Sequence, residues 1–257
     1  MSNVNYEVSN RIGVLTLNRP EKKNALNASM VADLTNALSK AENDDQVKVI
    51  IIKARGDVFC SGADLESLQQ LQNNSPEENL KDSQLLKELF LKIYTLSKIV
   101  IAEVQGHALA GGCGLATVCD FVYAVPEAKL GYTEVKIGFV PAIVMVFLIR
   151  KVGEQKAKYL LLSGQLVMGD EAKSLGLIDQ VVEKGQLSIS VRQWAEHLVN
   201  SNSSQSMALT KKMIAEVQSF SLEDGLNYAA KMNAQARSSE DCKRGIAAFL
   251  NKEKILW

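Results

Sequence analysis

Residues Ile99 to Gly114 read IVIAEVQGHALAGGCG. The first six are apolar and mostly β-branched, with one glutamate, as expected of a strand covered on both faces. The glycines that follow predict a tight turn into a helix, because glycine leaves the backbone N–H groups at a helix start uncovered. A second stretch has the same design. Val58-Phe59-Cys60-Ser61-Gly62-Ala63-Asp64 follows the apolar run Val47–Lys53 (VKVIIIK) and precedes a helix-like segment. Two such turns facing each other can offer two N–H groups to one oxygen, which is an oxyanion hole. Read alone, the glycines serve equally well for tight turns and close packing. Neither stretch matches GxxxxGK[ST] or GxGxxG, which argues against a phosphate loop or a dinucleotide site.

Upstream, Arg11–Leu17 (RIGVLTL) reads as a strand, followed by the turn-rich NRPEKKNALN. Ser29 is then expected to cap a helix carrying Met30, Val31, Leu34, Leu38 and Ala41 at helical spacing. The polar stretch Gln69–Asp82 reads as a surface loop, and Leu86, Leu89, Phe90, Ile93 and Leu96 mark a second amphipathic helix. Strand, glycine turn, helix and strand recur, the pattern of an α/β domain built from β-β-α or βαβ units. Further on, Leu187–Asn200, Ser204–Gln218 and Ser221–Arg237 read as helices with no strand between them.

The chain has 257 residues, 29 basic and 29 acidic side chains and 47% apolar residues. A chain of this size can bury roughly 70% of its unfolded surface without staples. With 16 Gly and 4 Pro it is neither collagenous nor of low complexity. Zero net charge argues against nucleic acid as the main partner. Cys60, Cys113, Cys119 and Cys242 form no CxxC pair and have no histidine at ligand spacing, so no metal is expected. They read as reduced, mostly buried thiols of a cytoplasmic protein. The start, MSNVNYEVSN, has neither the basic residues nor the apolar core of a secretory signal. The most apolar stretch, Phe139–Ile149, holds eleven residues against about 20 for a membrane span.

Glu134 lies in LGYTEVKIG, just ahead of Phe139-Val140-Pro141-Ala142-Ile143. A carboxylate beside so apolar a segment is a candidate proton shuttle with a raised pKa. The alternative is an exposed strand glutamate paired with Lys136. No GxSxG occurs, so His107 and His197 do not read as members of a catalytic triad. His107 reads as structural, His197 as a helix-surface or packing residue, and Lys211 and Lys212 as a solvated helix face.

In order along the chain, these segments resemble the crotonase family, the enoyl-CoA hydratase/isomerase superfamily. The resemblance is carried by Asn18-Arg19-Pro20 with Asn24-Ala25-Leu26-Asn27, by Phe59–Asp64, and by Gly106–Cys113 with Cys119-Asp120. Glu134 with Gly138 and Pro141, Ala172 with Gly176-Leu177-Ile178-Asp179, and Glu240-Asp241 with Gly245 and Ala248-Phe249-Leu250 complete it. It implies a spiral of β-β-α units over residues 1–195 and a helical C-terminal region, 196–257, serving as trimerisation or lid element. It further implies a homotrimer or homohexamer and an acyl-CoA substrate, with coenzyme A as part of the substrate and no separate cofactor. The N–H groups of Ala63 and Gly111 would hold the thioester oxygen, and Glu134 would be the catalytic carboxylate. Lys23, Ala25, Leu26, Ser61, Ala63, Asp64 and Gly111 would line the coenzyme A path, with Lys254 reaching its phosphates, in a neighbouring subunit if not its own.

One position departs from the family pattern. Family hydratases generally carry two glutamates, the first directly after GGC; that position is Gly114 here, and Glu134 keeps the second. One carboxylate suffices to move a proton from C2 to C4, which is isomerase chemistry, and suffices for hydration when it directs both proton steps. The segments Glu134–Ile143 and Phe147–Gly153 resemble the methylglutaconyl-CoA and carboxygeranoyl-CoA hydratases and the dehydratases of polyketide β-branching. The leading expectation is therefore a hydratase or dehydratase of a β-branched 2-enoyl-CoA. A Δ3,Δ2-enoyl-CoA isomerase and a non-catalytic acyl-CoA-binding member are the alternatives. Lys136 and Tyr132 are nearest in sequence to Glu134 for a distal carboxylate on the acyl group.

Overall fold

As the chain winds, it lays one strand into a large sheet and the next into a small one, then covers both with a helix. The computed structural model describes residues 2–257. A hairpin of β1 (Val4–Ser9) and β2 (Ile12–Leu17) leads to α1 (Ala28–Asn43). Then β3 (Val49–Ala54) passes the chain to β4 (Val58–Cys60), α2 (Leu65–Leu71) and α3 (Pro76–Thr95). Next, β5 (Ile99–Val104) passes it to β6 (His107–Leu109) and α4 (Gly111–Thr117). The third turn runs through β7 (Phe121–Ala124), β8 (Lys129–Gly131), α5 (Ala142–Val152) and α6 (Glu154–Ser163). After β9 (Val167–Met168), α7 (Gly169–Leu175) and β10 (Gln180–Val181) come α8 (Leu187–Ser201), α9 (Ser204–Val217), α10 (Leu222–Ala236) and α11 (Glu240–Asn251). The large sheet has the order β1-β2-β3-β5-β7-β10 and the small one β4-β6-β8-β9. This is the α/β spiral of β-β-α units that the resemblance implies.

The continuous apolar runs have their cause in this layering. Strands β3 and β5 pair in parallel at the centre of the large sheet, and all six residues of β5 are buried. Helix α8 covers that sheet with Leu187, Val191, Ala195, Leu198 and Val199, all buried at helical spacing. Its last turn is tied down by Lys48, whose buried ammonium donates to the Val199 carbonyl at 2.6 Å and to that of Asn202. Those are carbonyls that a helix end leaves without partners. Burial, helped by the nearby Arg11 charge, lowers the Lys48 pKa to about 8.

Four sequence expectations are corrected. Within Gln69–Asp82, taken for a loop, α2 runs to Leu71 and α3 starts at Pro76. Ser75-Pro76-Glu77-Glu78 is a capping box with proline at the first helical position, a start signal that outweighs the polarity of the stretch. Helix α1 is capped by Asn27, whose side chain accepts from the Met30 N–H, while Ser29 accepts from the Asn3 side chain. The boundary expected between residues 195 and 196 falls inside α8, which packs on the sheet. Lys211, taken for a solvated residue, is buried and ion-paired with Asp120 at 2.7 Å. Among the described residues no helix is long and apolar enough to cross a membrane.

Helix α4 lies so close to β4 that a Cβ on Gly112 would sit 2.2 Å from the Cys60 carbonyl oxygen. Gly112→Ala therefore forces the two elements apart, at a cost of about 1–3 kcal/mol or more. A lowered urea midpoint is expected; an unchanged one would show that this spacing is soft.

Candidate active site

The small sheet brings three chain segments to one end. Strand β6 pairs in parallel with β4 (Val58 with His107, Cys60 with Ala108) and with β8 (Ala108 with Leu130, Leu109 with Gly131). All three strands run the same way, so the residues just past their carboxyl ends are neighbours. Beyond β4 come Gly62 and Ala63, beyond β6 come Ala110 and Gly111, and beyond β8 comes Glu134. A hydrogen bond from the Ala110 N–H to the Gly131 carbonyl, 2.8 Å, extends the β6–β8 pairing to the start of α4.

Each turn is held by its own devices. Gly62 has φ of +92°, and a Cβ there would meet the Leu109 carbonyl at 2.9 Å and the Gly111 nitrogen at 3.5 Å. The two glycine turns therefore touch. Ala110 has φ 50° and ψ −124°, strained for a residue with a Cβ, and this conformation sets the direction of the Gly111 N–H. Among the described residues, no protein group accepts from the N–H of Ala63 or of Gly111.

A third segment is stitched onto the Gly62 turn. Leu26 N–H donates to the Gly62 carbonyl (2.8 Å), Asp64 N–H to that of Leu26 (3.0 Å) and Ser61 N–H to that of Lys23 (3.1 Å). Lys23, Ala25, Leu26, Ser61 and Ala63 therefore share one edge, with Lys23 and Ala63 exposed and Ala25 and Leu26 buried. Two residues not assigned a role from the sequence support that edge. Buried Asn24 donates to the carbonyls of Arg55 and Val58 and accepts from the Arg19 N–H. Arg19 forms a 2.5 Å ion pair with Asp64, whose side chain is 4% exposed. Asp64 also caps α2 through the Glu66 N–H, so both its oxygens are engaged within the protein. Burial alone would raise the Asp64 carboxyl, but the Arg19 guanidinium and the capping bond hold it below the usual value. The positive φ of Lys23 and Asn24, both 52°, marks the tight turn behind the Asn24-Ala25-Leu26 motif.

Among the described residues no hydrogen bond joins Lys254 to this edge. It lies three residues before Trp257, whose carbonyl accepts from Arg11 at the start of β2. Lys23–Leu26 follow the other end of that strand, and six residues of strand span about 20 Å.

Glu134 sits in a 3-10 turn rather than a strand and is 9% exposed. Its Oε2 is buried with no hydrogen-bond partner, and among the described residues no cation pairs with it. The pairing with Lys136 is thereby overturned; Lys136 is exposed and its side chain lies against Gly164. Burial raises the Glu134 carboxyl above the usual value, partly offset by its own backbone N–H. After burial, its charge also helps to raise the Cys113 thiol and the Tyr132 hydroxyl. Tyr132 is fully buried with its hydroxyl 2.9 Å from Thr117 Oγ1, so it joins β8 to α4 and is unavailable to a ligand. His107 accepts from the Lys129 N–H, a structural contact, and His197 stacks on Trp194. Burial raises the thiols of Cys60, Cys113 and Cys119 to about 12, leaving them neutral.

The space over Gly114, where the resemblance would place a first glutamate, is filled. A Cβ on Gly114 would lie 2.3 Å from Val144 Cγ1 and 2.9 Å from Phe90 Cε2. A cavity of about 830 Å³ lies elsewhere, at the opposite end of α4, where Thr117–Asp120 line it together with α3, α5, α9 and α11.

Known proteins resemble this chain over nearly its whole length. The family model described as enoyl-CoA hydratase/isomerase matches residues 7–257. A Thermus thermophilus protein named provisionally as an enoyl-CoA hydratase is 44% identical, covering 94% of this chain and 95% of its own. The crotonyl-CoA hydratase of Syntrophomonas wolfei is 33% identical over 98% of this chain and 96% of its own. The crystal structure of an enoyl-CoA hydratase from Mycobacterium smegmatis superposes with a TM-score of 0.93 at 29% identity, covering 99% of this chain and 98% of that one.

Because the Asp64 carboxyl is held below its ordinary value of 3.8, its contribution to stability is complete above that pH. It is lost as pH falls through the lowered value. Asp64→Asn is accordingly expected to be less stable than the wild type at pH 7, with the gap closing in strong acid. A gap independent of pH would show that the Arg19 pair is not its source.

Proposed function

The chain belongs to the enoyl-CoA hydratase/isomerase family, and from that premise we propose that it is a hydratase of 2-enoyl-CoA thioesters. It adds water across the 2,3 double bond, or removes it, with Glu134 as the carboxylate at the reacting carbons. The observation that carries this reading is the Glu134 oxygen, buried and unsatisfied just past β8, the strand that pairs with β6 ahead of Gly111. A buried polar atom without a partner is costly, and a substrate or water that completes it repays that cost.

The chemistry follows from the three strand ends. The N–H groups of Ala63 and Gly111 receive the thioester oxygen. Glu134 takes a proton from water as the hydroxyl oxygen bonds to C3, and the electron pair of the double bond moves onto the thioester as an enolate. The two N–H groups hold that charge, one such donor being worth about 3–4 kcal/mol of barrier. The same carboxyl then returns the proton to C2, so one water has been added and Glu134 is ionised again. Coenzyme A enters as part of the substrate, along the edge formed by Lys23, Ala25, Leu26 and Ser61. Lys254 reaches its phosphates from a neighbouring subunit of a homotrimer. The exposed apolar side chains of Leu222, Phe249 and Leu250 in the helical C-terminal region support such an assembly.

The acyl group is read as short and β-branched. The segment Glu134–Ile143 and the single carboxylate support this, because a tertiary C3 carries positive character as its hydroxyl leaves and asks less of a second acid. Gly114 favours one competing reading, a Δ3,Δ2-enoyl-CoA isomerase in which Glu134 moves a proton from C2 to C4. Mass spectrometry separates them. Methylglutaconyl-CoA and crotonyl-CoA each gaining one water supports the hydratase, while a 3-enoyl-CoA converted without change in mass establishes the isomerase.

Glu134→Gln is expected to lower kcat/KM by about 10²–10⁴ while leaving the melting temperature unchanged or higher. Removing an ionised group from a buried position relieves its desolvation cost. Unchanged turnover would exclude Glu134 from the chemistry. Because burial raises the carboxyl above its ordinary 4.5 and the ionised form is the base, the acid limb of kcat/KM is expected above that pH. A limb at or below it would mean that another group titrates.

A further inference from the structure

The Glu134 carboxylate is aimed by the chain that carries it. Its Oε2 has no hydrogen-bond partner, and the polar contact of the carboxylate is its own backbone N–H. Its place is therefore set by what fixes the backbone on either side. On the far side is the 3-10 turn Glu134–Ile137, and the Glu134 carbonyl accepts from the Phe139 N–H at 3.0 Å. On the near side β8 is tied to α4 at two points. The Ala110 N–H donates to the Gly131 carbonyl just ahead of α4, and the Tyr132 hydroxyl lies 2.9 Å from Oγ1 of Thr117, the last residue of that helix. The second bond has a defined direction. Thr117 directs its one hydrogen to the Cys113 carbonyl, 2.9 Å away, so the Tyr132 hydroxyl donates and Thr117 accepts. Tied near both ends of a seven-residue helix, roughly 10 Å long, β8 cannot turn about it as it could on one bond.

We propose that Tyr132 is a positioning residue, whose hydrogen bond to Thr117 fixes the end of β8 against α4 and so sets Glu134 relative to the N–H of Gly111, the first residue of the same helix. The inference rests on the roles proposed for Glu134 and Gly111 and adds the group that sets their spacing. It holds alike for water addition and for proton transfer along the acyl chain. Tyr132 is fully buried, so Tyr132→Phe removes one oxygen and keeps the ring in its packing. Thr117 retains its bond to the Cys113 carbonyl, and that substitution leaves its hydroxyl satisfied. A tyrosine that only fills the core would cost stability and nothing else. The state of Glu134 tells the two apart. Cys113, the other polar neighbour of the hydroxyl, and Tyr132 itself feel the Glu134 charge, and burial raises both so that they stay neutral. Lys136, on the same 3-10 turn, is exposed and lies against Gly164. The titration of Glu134 therefore reports its own burial.

The test measures kcat and KM on crotonyl-CoA and on a 3-enoyl-CoA, with folding checked by melting temperature. It compares the wild type with Tyr132→Phe, Thr117→Val, Thr117→Ser and the double variant Tyr132→Phe/Thr117→Val. Tyr132→Phe is expected to lower kcat by about 10–100-fold, as a misplacement of about 1 Å does, with KM little changed. Thr117→Val removes the acceptor at equal size and is expected to lose as much, and the double variant no more. Thr117→Ser keeps the hydroxyl and is expected to retain the rate. The Glu134 carboxyl is followed by infrared spectroscopy of isotope-labelled glutamate, its band assigned by its absence in Glu134→Gln. Its pKa is expected to fall toward the ordinary 4.5 in Tyr132→Phe and in Thr117→Val, because a loosened strand end lets water reach it. A lower melting temperature with kcat and the Glu134 titration unchanged would overturn the proposal, as would additive losses in the double variant. If only the 3-enoyl-CoA is converted, the hydratase reading falls and the tether is judged on that reaction. If neither thioester is converted, the titration alone decides, a shift supporting the tether and no shift overturning it.

Discussion

The site depends on one parallel ladder only three strands wide. Strand β6 pairs with β4 on one side and β8 on the other, all in the same direction, so everything that emerges from their carboxyl ends converges. Had β8 run the other way, Glu134 would leave from the far end of the sheet. The remaining structure serves this alignment. The large sheet provides the frame that returns the chain to the small one at each turn, and the missing Cβ of Gly112 lets α4 settle on β4. The Lys23–Leu26 segment and the Arg19–Asp64 pair then fix the edge beside Ala63.

A second constraint is steric. Val144 and Phe90 occupy the space over Gly114, so the packing of α3 and α5 on α4 leaves no room there for a larger side chain. Adding a glutamate at 114 would not add a second acid without reshaping both helices.

Much of the fold was legible because its signals are local. The runs Val47–Lys53 and Ile99–Val104 and the helical spacing of Leu187–Val199 announce their elements through burial. Where local signals competed, the reading missed. The polarity of Gln69–Asp82 hid a capping box, and the charge of Lys211 hid a buried pair with Asp120, a partner 91 residues away. At the site, the residue types were legible but not their state. Sequence gives Glu134 an apolar neighbourhood; only the tertiary arrangement decides that its oxygen is buried and unpartnered. Asp64 shows the converse, since a polar residue beside the Gly62 turn proves to be engaged with Arg19. The filled space over Gly114 depends on helices 24 and 30 residues away in sequence, which no motif records.

The most direct measurement is the crystal structure of the protein with a bound, unreactive acyl-CoA thioester. The thioester oxygen is expected within about 3 Å of both the Ala63 and Gly111 nitrogens, with the Glu134 carboxylate beside C2 and C3. A thioester bound away from those two N–H groups, or in the cavity at the other end of α4, would contradict the convergence of the three strand ends on one substrate.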